Sequence, residues 1–405
     1  MCGIFGFHGF EDKEFLNSMQ RCISHRGPDE KGTYIDKKAS LGNNRLSIVG
    51  LGNGKQPIHN EDETVQVVYN GEIYNYKGIK EELQRKGHDF YTDADTEILV
   101  HLYEEEGIEM VKRLRGMFVF ALWDRGKEKL FLVRDRMGQK PLHYTETQQG
   151  LVFASEIKSI LEHRQVEPEV HQQALSDYLT FQYVPSPFTM FENVKSLPPA
   201  TIMEVSDEGK KFRQYWDFGF SSRIRNEDKA VKKLRKRLKE AIKMRTMSEV
   251  PISAYLSGGL DSSTVVGILS EVRDEPVTTF SVGFNEPDDE TGYAREVSEY
   301  HNTNHNEIIM EESSLSLLED IIYSIDQPIA DAGIIPSYVM AEKVSEKAKV
   351  VLSGDGSDEM FAGYPKYRTM PFVNGHRNKV PPKFSQAVSK LRKQLPHMGR
   401  PTRYL

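Results

Sequence analysis

The sequence predicts two halves: a four-layer sandwich of two sheets held between helices, and after it a doubly wound parallel sheet. Two observations carry this expectation. The first half is rich in short strand-like runs, whereas from residue 250 onward strand and helix patterns alternate. A third observation orients the second half. Ser257-Gly258-Gly259-Leu260-Asp261-Ser262-Ser263 follows an apolar run, 251–256, and opens a helix-compatible stretch with Val265, Val266, Ile268 and Leu269. A glycine-rich turn from a strand end into a helix start leaves first-turn N–H groups unpaired at the positive end of the helix dipole. That is a phosphate site by geometry.

Length and composition bound the rest. A chain of 405 residues with 38% hydrophobic content can supply a core to each of two domains. No run approaches the apolar length of a membrane span and the N-terminus lacks a signal-peptide pattern, so a soluble, cytoplasmic protein without a membrane partner is expected. The net charge of −7 offers no overall attraction to nucleic acid. Two cysteines, Cys2 and Cys22, are too few for a disulfide framework.

The chain opens Met1-Cys2-Gly3-Ile4-Phe5-Gly6. Cys is small enough for the initiator Met to be removed, which leaves a thiol and a free amine on one residue. That amine, with a pKa of about 7.7–8.0, can take the thiol proton. A Cys after Met is often incidental, so the reading depends on finding the other parts of a site. Residues 14–23 put Phe15, Leu16, Met19, Cys22 and Ile23 on one helical face, which makes Cys22 a buried small hydrophobe. A strand over 41–49 carries Arg45, suited to gripping a carboxylate, and a strand over 64–69 runs into Asn70-Gly71-Glu72, where a side-chain amide adjoins a glycine N–H as in an oxyanion hole. Asp93 or Asp95 could cap a helix over 97–106, and for Arg45 and Asp95 a surface salt bridge is the simpler expectation. Strands over 117–123 and 129–133 form a hairpin pair, and further strands are expected over 151–154, 200–205 and 211–217.

A polar stretch, 219–227, marks the boundary between the halves. The basic segment 227–245 places Val231, Leu234, Leu238 and Ile242 on one face, so it reads as a packed helix with a solvated basic side rather than a nucleic-acid binder. Strands over 276–284, 306–310 and 349–352 alternate with helices over 289–301, 314–325 and 337–348. The last strand enters Ser353-Gly354-Asp355-Gly356-Ser357-Asp358-Glu359, a second loop of glycines and carboxylates. Asp261 and Asp358 could share a magnesium ion on a pyrophosphate, or each could cap its helix.

The first half resembles class II glutamine amidotransferase domains through M-C-G-I-F-G, H-R-G-P-D, R-L-S-I-V, Y-N-G-E-I-Y-N and R-D-R-M-G-Q-K-P-L; the second resembles ATP pyrophosphatase domains through S-G-G-L-D-S-S and S-G-D-G-S-D-E. Together they resemble glutamine-hydrolysing asparagine synthetases, from Met1 to about Tyr364. The resemblance implies an N-terminal nucleophile hydrolase sandwich (αββα) over 1–205, a connecting segment over 206–226 and an α/β ATP pyrophosphatase domain over 227–405. It implies Cys2 as nucleophile, Asn70 and Gly71 as oxyanion hole, and Arg45, Glu72 and Asp95 as holders of glutamine. It also implies ATP at Leu256, Ser257, Gly258, Gly259, Asp261, Ser262, Val282, Ser353, Gly354 and Asp355, with Mg2+ at Asp261 and Asp358. The implied substrates are glutamine, aspartate and ATP, with a homodimer as a possible assembly.

Two departures qualify what the resemblance implies. The family's asparagine synthetases have Glu where this chain has Asp355, while Asp occurs in relatives that amidate other acids, so another carboxylate acceptor stays open. The family usually continues into a helical region that supplies a catalytic Lys, and no equivalent is found before Leu405. A glutaminase or nucleotide-binding protein without synthetase chemistry therefore also stays open. From Pro365 onward there is no Asp or Glu and the tail is basic, either the start of a truncated helical region or a site for something acidic.

Overall fold

The computed structural model describes residues 1–220, 223–283, 291–310, 316–331, 333–365 and 367. Among them, two six-stranded antiparallel sheets and one four-stranded parallel sheet form the framework. The first sheet runs, edge to edge, through Lys195–Ser196, His143–Glu146, Leu151–Ala154, Gly3–His8, Ala39–Arg45 and Glu30–Ile35; the second through Gly209–Gln214, Thr201–Ser206, Lys129–Arg134, Gly116–Asp124, Val65–Ile73 and Ile58–His59.

Strand periodicity explains the four layers. Alternate residues of one strand face opposite sides, and here both sides are covered. Ile4, Val68, Val119, Ala121 and Trp123 meet in the core between the sheets. Phe5 and Phe7 face the other way, onto Phe15, Leu16 and Met19 of the helix Lys13–Cys22. Val67, Tyr69, Phe118, Phe120 and Leu122 face outward from the second sheet onto Ile79 and Leu83 of the helix Tyr76–Lys86 and Leu99 and Leu102 of Ile98–Glu106. The expected αββα order is thus observed. Cys22 packs against the outer core but is half-buried, less enclosed than the buried small hydrophobe expected.

Several boundaries differ from expectation. The strand with Arg45 ends at that residue, and Val65–Ile73 continues through Asn70, Gly71 and Glu72, because that segment pairs with Gly116–Asp124 along its whole length. Gly209–Gln214 falls inside the expected connecting segment 206–226, yet it pairs with Thr201–Ser206 as the edge of the second sheet. The first framework therefore runs to Gln214, and the connection is shorter than expected.

The parallel sheet is ordered Asn304–Ile309, Thr278–Gly283, Ile252–Tyr255, Val350–Leu352. The chain builds outward from Ile252–Tyr255 in one direction and then returns to its other side. Right-handed crossovers put the connecting helices on opposite faces when the direction reverses, so this is the doubly wound arrangement, with its switch point between Ile252–Tyr255 and Val350–Leu352. The helix Glu227–Arg245 is only partly packed. Ile242 and Leu238 meet the core with Leu256, Val266 and Leu269, but Val231 and Leu234 are exposed, which corrects the continuous buried stripe expected for it. The ends of the expected elements at 276–284, 289–301 and 314–325, and the basic tail beyond Tyr367, lie outside the described residues. No described helix is long and apolar enough to cross a membrane.

Candidate functional site

Cys2 immediately precedes a fully buried central strand, Gly3–His8, which places its thiol at the end of the sandwich. Leu46, just past the neighbouring strand, donates its N–H to the thiol sulfur at 3.3 Å. Burial pushes the Cys2 thiol above its ordinary value while that N–H pulls it down, so the resting thiol is protonated and needs a base. Met1 is in place, and its amine is pushed down to about 6, mainly by burial. At that value the Met1 amine is largely uncharged near neutral pH. The Cys2 carbonyl accepts from Arg26 Nε at 2.9 Å, and Arg26 is held by Glu156 at 2.8 Å. Burial opposes the charge on Glu156, but His25, Arg26 and Lys158 outweigh it and hold its pKa near about 2.

Three residues of one strand face this thiol's surroundings. Cys2, Asn70, Gly71 and Glu72 line one cavity, and Cys2, Arg45, Gly71, Glu72 and Asp95 line a smaller one beside it. Two polar atoms there are buried without a partner: Asn70 Nδ2 and Glu72 Oε2. Buried polar atoms are normally satisfied, so this donor and this acceptor beside a thiol point to a ligand carrying complementary groups. Burial, followed by the charge of Asp95, pushes the Glu72 carboxyl well above its ordinary value. Asp95 is raised to about 6, burial again dominating, although Tyr69 Oη and Ile73 N donate to its Oδ2 at 2.9 and 2.8 Å.

The simpler expectations for Arg45 and Asp95 fail here. Both are buried, and Asp95 makes no helix-capping bond; it opens the short turn Asp95–Glu97 instead. Arg45 pairs with Glu30 and also donates to the carbonyls of Val49 and Gly50 at 2.8 and 2.9 Å. Its guanidinium is thereby locked in orientation. Lys140 was not anticipated. It is buried against Met1 Sδ at 3.1 Å, with its pKa lowered by burial. Lys140, Arg26 and Leu46 lie in or beside motifs quoted above, which is the signal that could have found them. Glu156 has no such signal.

The larger cavity, about 480 Å³, leaves the thiol end and passes Tyr74, Met117 and Met247 to Val351, Ser353 and Asp355 of the parallel-sheet half. The halves are tied around it. Glu249 accepts from the N–H groups of Gly50 and Leu51 at 2.7 and 3.2 Å, and Lys349 pairs with Asp29 at 2.7 Å.

At the far end, the expected phosphate residues collect at the carboxyl ends of the parallel strands. Leu256, fully buried, follows Ile252–Tyr255 and donates to Phe280 at 2.8 Å; Val282 lies near the end of the next strand. Ser257 and Ser262 hydroxyls bond at 3.0 Å, closing the turn before the helix Leu260–Val272. Gly258 has φ +80°, and a Cβ there would lie 2.5 Å from Tyr293 Cβ, so this glycine is required first by backbone and packing. Gly259 differs: a Cβ there would meet only Ser257 Oγ, at 3.3 Å, which leaves open space in front of the helix N-terminus. Gly354 packs against the first turn of that helix, 3.0 Å from Asp261 Cβ on the same measure, so the two loops adjoin. Asp261 does not cap its helix; it lies in the first turn, and among the described residues its carboxylate has no hydrogen bond or ion pair. Asp358 also makes no capping bond, and its carboxylate rests against Gly363. Ser353 Oγ donates to the exposed Asp355 at 2.9 Å.

An antiparallel sandwich with an N-terminal thiol is thus joined through one cavity to a parallel sheet with a phosphate-type turn, and the comparisons with known proteins divide the chain the same way. Residues 1–216 match the family model for the glutamine amidotransferase domain and residues 233–403 that for asparagine synthase. Glutamine-hydrolysing asparagine synthetase 1 of Bacillus subtilis (strain 168) is 37% identical over 378 residues, covering 91% of this chain and 60% of that protein. A Methanocaldococcus jannaschii protein named putative glutamine-hydrolysing asparagine synthetase 2 is 35% identical over 419 residues, covering 96% of this chain and 80% of that protein. Amidase chyE of Penicillium rubens is 34% identical over 369 residues, covering 85% and 54%. The chain belongs to the family of glutamine-hydrolysing asparagine synthetases. It spans 60% of the length of the Bacillus relative.

Proposed function

We propose that this chain carries the two sites of a glutamine-dependent asparagine synthetase. The observation that supports it most directly is the cavity running from Cys2 to Ser353 and Asp355. Once Met1 is removed, the Cys2 amine takes the thiol proton and sulfur attacks the glutamine amide carbon. The oxyanion that forms receives the unpartnered Asn70 amide and the Gly71 N–H. Arg45, Glu72 and Asp95 hold the α-carboxylate and α-amine of glutamine, an arrangement suited to the locked guanidinium and the two buried carboxyls. Collapse releases ammonia and leaves a thioester, which water converts to glutamate. The ammonia crosses the cavity between the halves.

In the second site, ATP lies along the carboxyl ends of the parallel strands, with adenine beside Leu256 and Val282. Its phosphates lie at Ser257, Gly258, Gly259, Asp261, Ser262, Ser353, Gly354 and Asp355. Asp261 and Asp358 would hold Mg2+, which fits an Asp261 carboxylate with no protein partner in a turn that abuts the second loop. When bound, the ion offsets phosphate charge. Aspartate attacks the α-phosphate through its side-chain carboxylate, pyrophosphate leaves, and ammonia displaces AMP from the mixed anhydride to give asparagine. A second reading, amidation of a different carboxylate, is supported by Asp355, which lines the far end of the cavity where the resemblance expects Glu.

The test uses Cys2→Ala. Glutamine-dependent amide synthesis is expected to vanish while ammonia-dependent synthesis from aspartate, ATP and Mg2+ persists. Unchanged glutamate release by the variant overturns the thiol assignment. Amide formation on other acids but not aspartate selects the second reading.

A further inference from the structure

On the outer layer of the sandwich, four side chains converge from three separate segments. Glu61 lies in the turn between Ile58–His59 and Val65–Ile73, His88 follows the glycine that ends the helix Tyr76–Lys86, and His101 and Glu104 share one face of Ile98–Glu106 at i, i+3 spacing. One donor atom from each lies within 4.8 Å of all the others. His88 Nδ1 is 3.5 Å from Glu61 Oε1 and 3.7 Å from Glu104 Oε2, and His101 Nδ1 is 3.4 Å from Glu61 Oε2 and 3.3 Å from the same Glu104 oxygen. A tetrahedral zinc with bonds of about 2.0–2.1 Å requires donors about 3.3–3.4 Å apart.

The outer ring of partners is built in the same sense. Each histidine turns its other nitrogen to a carboxylate, His88 Nε2 to Glu105 at 3.2 Å and His101 Nε2 to Glu97 at 3.6 Å. Asn60 donates to the remaining oxygen of Glu104 at 2.8 Å, and the Asp89 N–H donates to Glu61 at 3.2 Å. Glu97 is itself fixed by the N–H groups of Tyr91 and Thr92. Carboxylates that orient metal-binding imidazoles in this way are a regular part of zinc sites.

A second observation separates this cluster from a set of surface ion pairs: His101, whose Nδ1 faces both Glu61 and Glu104, is a fully buried side chain. The two rings lie 4.9 Å apart with both Nδ1 atoms turned to the same two carboxylates. One dication between them accepts both Nδ1 lone pairs and offsets both carboxylates. We propose that Glu61, His88, His101 and Glu104 form a structural zinc site. Four protein ligands leave no open position, so the metal is not a reaction centre. It pins both ends of the segment from His88 to His101, which carries Asp95.

The full chain, stripped with a chelator, is titrated with Zn2+ and separately with Co2+. Expected are one equivalent of tightly bound Zn2+, the intense visible bands of tetrahedral cobalt, and a rise in Tm on adding Zn2+. His88→Gln and Glu104→Gln, both outside the hydrophobic core, are expected to fold and to weaken Zn2+ binding more than about tenfold. A Cys2→Ala, Cys22→Ala variant should bind as the wild type does. Absence of saturable binding, a weak octahedral cobalt spectrum, or equal affinity in His88→Gln and Glu104→Gln overturns the proposal and leaves an ion-pair cluster only.

Discussion

The Asp95 carboxyl has its pKa raised to about 6, chiefly by burial, while one of its oxygens accepts from both Tyr69 and Ile73. Because the folded value exceeds the ordinary 3.8, the folded chain holds this proton more tightly than the unfolded one. Its contribution to stability is complete below about pH 4 and is lost as pH rises through about 6. Near neutral pH the ionised group therefore works against folding. Asp95→Asn keeps an oxygen for both donors and removes the charge, so the variant should be more stable to denaturant near neutral pH by on the order of 1 kcal/mol. Its KM for glutamine should rise about tenfold or more, since a charged contact to the substrate amine is lost. Stability and glutamine kinetics measured on one preparation check both halves of this prediction. The residue-level signal in the sequence was a short acidic stretch. Burial, which turns an ordinary aspartate into a desolvated one, came from the sheet behind it.

At the scale of the element, the strand-to-helix turn at Ser257–Ser263 was legible because glycine, a strand pattern and a helix pattern adjoin. What was not legible is which glycine does what. Gly258 sits in the left-handed region against Tyr293, whereas Gly259 opens the space in front of the helix. Gly258→Ala is expected to destabilise the parallel-sheet half by about 1–3 kcal/mol and to lower pyrophosphate–ATP exchange, as read by chemical unfolding and isotope exchange. Gly259→Ala should spare stability and affect the exchange alone. Gly71 gives a parallel lesson. Its N–H adjoins the candidate oxyanion site, yet a Cβ there would lie 2.2 Å from the Met117 carbonyl oxygen, so the neighbouring strand also demands a glycine.

Across the whole molecule, the proposed coupling of two chemistries depends on contacts between the halves. Lys349 pairs with Asp29, whose other contact at 2.8 Å is the Ser47 N–H, next to the Leu46 N–H that meets the Cys2 sulfur. Lys158 pairs with Asp326 at 2.8 Å and with Glu156, which holds Arg26. Lys349→Met removes one tie without touching the thiol. Glutamate release should persist while the ratio of amide formed to glutamate released falls, because ammonia escapes from a loosened cavity. Equal ratios in variant and wild type would remove the pair from any role in coupling. Lys349 is partly exposed, so its effect on stability should be small.

By itself the sequence pointed to a four-layer sandwich, a parallel sheet and the candidates Cys2, Asn70, Glu72 and Asp261, because periodicity and short motifs are local properties carried by neighbours in the chain. The tertiary structure decided which atoms are left without partners, where a cavity joins the halves, and which charges are desolvated. Glu61, His88, His101 and Glu104 drew no attention in the chain, since 43 positions separate the outermost two and no spacing rule links them. The packing of a turn, a helix end and a helix face onto one sheet brought them within reach of a single ion. Distances of that kind depend on contacts between residues far apart in sequence, and those contacts exist only once the chain has folded.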